Sequence, residues 1–283
     1  MRPTRIRDIK MKKGINRLFV LTFVVGIAIM ICSFDRGNGH LIHSEKPVSM
    51  FEKIDNSSSA DVCFHVGDEY RVVVTIDENL EKYVEIFTKD NILHIRTKNG
   101  SYSFTKLLVD IYCPILTGIS ISGSGDFESK DIITVPTFKT TLSGSGDFKG
   151  SVECENFSAT LSGSGDMTIT GSSKEANIVL LGSGDLKGSI ECENFFATLS
   201  GSGDMRITGN CKDANVVLLG FGDFMGGKFN INNADVSISR SGDATVWVTE
   251  NLTAKISGSG DIYCHGKPRI ESTVTGFGQI KKK

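Results

Sequence analysis

The feature that most constrains this chain is internal repetition. The segment from Asp147 to Gly184 recurs almost verbatim from Asp185 to Gly222, beginning "DFKGSVECENFSATLSGSGDMTITG" and "DLKGSIECENFFATLSGSGDMRITG" respectively. Each of these units is itself two shorter ones of about nineteen residues, and each shorter unit carries a Gly-Ser-Gly-Asp motif or a variant of it. The motif ends at Asp126, Asp147, Asp166, Asp185, Asp204, Asp223, Asp243 and Asp261, with Gln279 closing a ninth. A period of this size is that of a solenoid rung. A unit so short cannot bury its own apolar face, so it must stack on its neighbours.

Aligning the units on the aspartate shows which positions point inward. Five residues before it stand Ile121, Leu142, Leu161, Leu180, Leu199, Leu218, Ile238, Ile256 and Val274. The positions seven and nine before it are also mostly apolar, as in Ala159 and Phe157 or Ile178 and Ala176. Spacing by two is strand periodicity with one face turned to a core. A second inward column follows the motif directly: Phe127, Phe148, Met167, Leu186, Met205, Phe224, Ala244, Ile262 and Ile280. Large and small side chains alternate from unit to unit, as close packing along a stack requires. Each rung therefore reads as strand, glycine-rich turn, shorter strand, and a turn such as Glu191–Asn194. The expected fold is all-β, a parallel β-helix or β-solenoid of about nine rungs, right-handed by the chirality of parallel crossovers and about 40 Å long. After Cys32 no helix is expected.

The domain reading follows. Residues 119–280 are the repeats, and 51–118 lack the motif but still alternate, as in Val72/Val74/Ile76, so they form an N-terminal cap of irregular strands within one solenoid domain, 51–283. The polar stretch 34–50 reads as a tether. Residues 1–33 read as an export signal or membrane-targeting segment. Met11-Lys12-Lys13 and Arg17 make a basic start, and Leu18–Ile31 is an apolar run too short to span a bilayer. Cys32 stands where a lipoprotein's acylated cysteine would, although Ile31 before it is not a small residue. Cleavage near Ser33 and retention as an anchor are the other outcomes. The protein is expected in the periplasm or at the outer-membrane surface.

Charge narrows the partners. The first 33 residues carry seven basic side chains and one acid, so the net charge of −2 leaves an acidic body. That excludes nucleic acid, which needs a basic face, and leaves membrane contact only through the N-terminus. The expected partner is an envelope protein or a glycan.

The aspartates are the candidate ladder residues. Carboxylates stacked rung on rung repel, and backbone N–H groups of the same or the next turn are the expected compensation. A calcium ladder is the alternative, but nonapeptide β-rolls place ligands on both sides of a shorter period, and here no partner carboxylate recurs at fixed offset. No other cofactor is expected. The second glycine of the motif, present in every unit, points to a backbone angle that favours glycine. The serine, replaced by Phe221 and Phe277, should point outward.

No catalytic constellation emerges. Seven cysteines show no metal-ligand spacing, and Cys154 and Cys192, two rungs apart, are too distant to bridge. The five histidines are isolated, and Gly182–Gly188 fits a dinucleotide loop only superficially, because no helix follows. The rival reading is a carbohydrate-active β-helix enzyme, a lyase or hydrolase, which would gather acids and basic or aromatic groups at one irregular place.

The patterns "FEKIDNSSSADVCFHVGDEYRVVV", "LLVDIYCP" and "ISISGSGDF" resemble the auto-transporter adhesin head, or GIN domain, family over roughly Phe51 to Gln279. The resemblance implies an exported, β-helical, adhesin-like head, and because the rungs are most regular where a catalytic site would be expected, the expected function is a non-enzymatic binding or structural module of the envelope. The chain ends at Lys283 with no translocating barrel, so self-secretion is not expected.

Overall fold

A computed structural model describes residues 34–283. The apolar columns fold as expected: the strands Phe148–Leu161, Met167–Leu180, Leu186–Leu199 and Met205–Leu218 stack in parallel and in register. Phe157 lies on Ala176, Ala176 on Phe195 and Phe195 on Ala214. The residues before and after the motif face each other across the core, with the Phe138 and Phe148 rings 6.5 Å apart and those of Phe195 and Phe229 at 5.0 Å. Volume compensation is tight. A Cβ on Gly150 would come within 2.9 Å of the Phe148 ring.

The turn expected at Glu191–Asn194 is instead a bend inside one continuous strand. Cys192 pairs with Cys211 and Asn194 with Asp213, leaving only Glu193 out of the ladder. One unpaired residue suffices to turn the corner, so the hydrogen bonding that a turn would forfeit is kept.

The N-terminal part is more regular than its sequence suggests. Lys53–Asn56 and Asp61–Val66 form a full rung, on which Gly118–Ile121 and Phe127–Thr134 stack in parallel. On its other side lie Ile92–Thr97 and Leu107–Cys113, also parallel. Beyond these the stack closes with antiparallel strands: Arg71–Asp77 on Leu107–Cys113, and Val84–Lys89 on Ile92–Thr97. A 3-10 helix, Glu78–Tyr83, joins them and corrects the expectation of no helix.

Residues 34–50, read as a tether, are partly built into this cap. Leu41–Lys46 pairs with Arg71–Asp77, and Phe34–Arg36 with Ser101–Ser103. The fully buried Asp77 carboxylate clamps the segment, accepting the N–H groups of Gly39 at 2.8 Å and Thr105 at 2.7 Å. Burial disfavours that charge, but the N–H donors outweigh it and hold its pKa below the usual carboxylate value.

The motif glycines do not serve the role read from sequence. Positive φ occurs at Gly171, Gly209 and Gly266, in the second strand of the rung, and not in the Gly-Ser-Gly-Asp turns. What the turns require is close approach. A Cβ on Gly184 would lie 2.0 Å from the Gly165 carbonyl oxygen, and one on Gly182 would lie 2.0 Å from that of Gly163. Each turn rests backbone on backbone against the turn before it. Where Arg240 replaces the first glycine, the N–H bonds that Gly220 and Phe221 make to Leu199 and Gly201 have no counterpart at Arg240 and Ser241.

Candidate binding surface

The aspartates form a continuous ladder along one edge of the stack. Asp166 N–H donates to Asp147 Oδ1 at 2.7 Å, Asp185 N–H to Asp166 at 2.9 Å and Asp204 N–H to Asp185 at 2.9 Å. The same bond links Asp126 to Asp147, Asp204 to Asp223, Asp223 to Asp243, Asp243 to Asp261, and Asp261 to the N–H of Gln279. Each carboxylate thus accepts from the backbone of the following rung, and its own backbone N–H donates to the preceding carboxylate. Asp61 extends the ladder at its start, accepting from Asp126 N–H at 3.1 Å. Sequence reading missed it because its turn, Ser57–Ala60, contains no glycine. The spacing from Asn56 to Asp61 nevertheless matches that from Ile121 to Asp126.

Charge along the ladder is uneven. Burial is the main influence pushing the Asp223 carboxyl up; the Asp243 N–H opposes it, and the Asp204 and Asp243 carboxylates add to it. At Asp261 the Lys281 ammonium, then the Gln279 N–H, holds the carboxyl down. Cys32, the candidate lipidation site, lies outside the described residues.

The outward faces of the rungs carry the chemistry available to a partner. Most positions are Ser, Thr, Asn or Lys. Phe196, 42% exposed on Leu186–Leu199, is a lone apolar side chain among them, and near the last rungs there is an aromatic patch. Trp247 stands on the outer face of Ala244–Ile256, 44% exposed, and stacks on His265 of the next rung with centroids 6.0 Å apart. Tyr263, outward on the same strand as His265, is overlaid by the ammonium groups of Lys283 at 4.3 Å and Lys281 at 5.2 Å. On the other side Trp247 pairs with the exposed Asn230. The lone tryptophan was visible in the sequence, but its partner, eighteen positions on, became meaningful only once the register was known.

The turn ridge carries a second set of exposed apolar side chains, Leu181, Leu219, Phe221 and Phe277, the last 90% exposed. All nine residues at the serine position, Phe221 and Phe277 among them, point to solvent, as the sequence suggested.

Two of the grooves on the surface gather titratable side chains. One, of about 280 Å³, lies over Lys53, Asp55, His94, Ser120 and Lys139, where Asp55 Oδ2 meets His94 Nδ1 at 2.9 Å. The other, of about 400 Å³, lies at the corner beside Cys192 and Cys211. These two thiols are register partners on adjacent rungs, a pairing the sequence comparison of Cys154 with Cys192 overlooked. The neighbouring thiol and burial push Cys192 up.

Comparison with known proteins gives a consistent picture. The profile of the family described as "Putative auto-transporter adhesin, head GIN domain" matches residues 50–189 and 173–268, well over half of the chain. A crystal structure described as a putative adhesin from Parabacteroides merdae is 23% identical and superposes with a TM-score of 0.64, covering 88% of this chain and 99% of its own. One from Parabacteroides distasonis, described as a "Putative lipid binding protein", is 27% identical with a TM-score of 0.65 and coverages of 88% and 99%. A putative adhesin from Bacteroides fragilis is 22% identical, with coverages of 88% and 99% and a TM-score of 0.51. No curated protein matches the chain.

Proposed function

The chain belongs to the family of auto-transporter adhesin head GIN domains, and from that premise we propose that it is a non-enzymatic binding module of the cell envelope that presents its outer rung faces to a glycan. The observation carrying this reading is the exposed Trp247–His265 stack flanked by Tyr263 and Asn230. A pyranose ring has an apolar C–H face that stacks on a flat aromatic surface, and the indole N–H and the Asn230 amide supply donors for its hydroxyls. Building the platform on a stacked sheet fixes its orientation before any ligand arrives, which lowers the ordering cost of binding. Export to the envelope, expected from residues 1–33, fits this role. So does the ladder, whose carboxylates are bonded to backbone N–H groups and call for no calcium in this reading.

A glycan array probed with the full-length chain tests the proposal. Binding that falls at least about tenfold in Trp247→Ala, with unchanged melting, is the expected result, since truncating a central aromatic costs about 1–2 kcal/mol or more. Equal binding by parent and variant would overturn it.

A second reading is favoured by the turn ridge. Phe221, Phe277, Leu181 and Leu219 expose apolar surface along one edge, as a protein resting on lipid would, and one relative is described as a lipid binding protein. Sedimentation with phosphatidylethanolamine vesicles that is lost in Phe221→Ser/Phe277→Ser would move the function to that edge.

A further inference from the structure

The strand Asp61–Val66 turns Cys63 and His65 to the same outward face, because alternate residues of a strand share a side. In the neighbouring strand Leu107–Cys113, Asp110 is the register partner of Cys63. The result is a convergence of three different donors. One ligand atom from each of Cys63, His65 and Asp110 lies within 4.8 Å of the others, and His65 Nε2 is 4.0 Å from Asp110 Oδ1. We propose that Cys63, His65 and Asp110 form a binding site for a divalent transition metal of the zinc class, with Asp131 as the carboxylate that orients the histidine.

Three features carry this. The first is donor type: thiolate, imidazole and carboxylate together suit zinc, whereas calcium and magnesium take oxygen shells. The second is geometry. Tetrahedral zinc with bonds of about 2.0–2.3 Å sets its ligand atoms roughly 3.3–3.8 Å apart, so the present separations need only small side-chain rotations to close on an ion.

The third is the outer shell. Metal-binding histidines hand their second ring N–H to a carboxylate or carbonyl, which fixes tautomer and orientation. Asp131 Oδ2 lies 4.0 Å from His65 Nδ1, on the side of the ring away from Asp110. It is itself fixed by the N–H of Val66 at 3.0 Å. Asp131 comes from Phe127–Thr134, and the register of that strand slips between Glu128 and Ile132. Such irregularities re-aim side chains. Tyr112 stacks flat on the imidazole, centroids 4.7 Å apart, and restricts its rotation.

Burial is the main influence raising the Cys63 thiol; Lys130 opposes it, and the Asp110 and Glu128 carboxylates add to it. Lys130 is itself paired with Glu128, the register partner of Cys63 on the other side. Cys63, His65 and Asp110 are all only partly buried, leaving a fourth position that faces solvent. An ion here would tie two adjacent strands of the N-terminal rungs directly and a third through Asp131. Cys63 and His65 stand two apart in the sequence, but the site does not show there because the third donor, Asp110, and the orienting Asp131 come from two other stretches.

The test is a titration of the chelator-stripped full-length chain with Co²⁺, followed by displacement with Zn²⁺. One equivalent should bind and give a thiolate-to-cobalt charge-transfer absorption that zinc abolishes. The band should vanish in Cys63→Ser and persist in Cys192→Ser/Cys211→Ser. Asp131→Asn should keep the stoichiometry and weaken affinity by about 10- to 100-fold. Melting curves without metal control for folding, and His65→Gln replaces Cys63→Ser if the latter is unfolded. A band that survives in Cys63→Ser or His65→Gln, a band lost in Cys192→Ser/Cys211→Ser, or no binding by the parent would overturn the assignment.

Discussion

Gly184→Ala isolates what the glycine-rich turns require. The added Cβ would meet the Gly165 carbonyl oxygen at 2.0 Å, where real Cβ contacts do not fall below 3.0 Å. The obstacle is backbone, so no rotamer relieves it. The two turns must separate by about 1 Å, and at that separation the shared bonds fail. Those at risk are the N–H groups of Ser183 and Gly184, both on the Gly163 carbonyl at 3.1 and 3.4 Å. Losing them, with the strain of the displaced turn, should cost about 2–4 kcal/mol. In a chain of this size that lowers the melting temperature by about 5–15 °C. Thermal unfolding followed by circular dichroism reads the shift, with Ser183→Ala, an exposed position, as the reference. Gly184→Asn sharpens the test. Asparagine tolerates positive φ better than alanine does, so a conformational requirement would make Asn the milder change, whereas close approach makes it at least as severe. Destabilisation of Gly184→Ala within about 0.5 kcal/mol of Ser183→Ala, the usual spread for surface changes, would refute the reasoning. So would rescue by Asn.

Deleting Asp185–Gly222 should leave a folded, shorter rod, because Met167 would then meet Phe224 as Met205 now does; a ten-residue deletion at the same place should abolish the β signal in circular dichroism. Asp223→Asn should raise the melting temperature at neutral pH. The folded Asp223 pKa lies above its unfolded value, so the group favours folding only at low pH, and this contribution is lost as pH rises through the folded pKa. The variant's advantage should fade as pH falls through the folded pKa and be gone below about 3.8, and an advantage that instead grows in acid would contradict it. Asp261→Asn should do the reverse, because the Lys281 contact depresses that pKa: its loss of stability appears above the unfolded value and disappears as pH falls through the folded one.

What could be read from the sequence was whatever repeats. Leu161, Leu180 and Leu199 announce a column because each occupies the same place in successive rungs, and burial then follows from strand alternation. The Asp61 rung was hidden by substitution of its glycines, which Ser58 and Ala60 can replace because they are the lower partners of the contact: it is Gly123 and Gly125 whose Cβ atoms would strike Ser58 and Ala60. The glycine requirement itself was legible but its cause was not, since close approach and positive φ leave the same mark on a sequence. The antiparallel closure by Arg71–Asp77 and Val84–Lys89 depends on chain reversals that strand periodicity does not encode. The Trp247 and Cys63 clusters depend on register between strands, which one-dimensional spacing reveals only inside the repeats.

The near-verbatim segments carry a consequence for how such a rod changes over generations. Side-chain volumes alternate, Phe157 on Ala176 and Phe195 on Ala214, so the smallest insertion that leaves every neighbour with the partner it already fits is a pair of rungs. Unequal exchange between such segments would therefore lengthen or shorten the molecule in increments of about 9.6 Å, twice the strand spacing. Length along the stack becomes a heritable quantity that moves in fixed steps, and neither the closing strands nor the terminal aromatic patch has to be reinvented when it does.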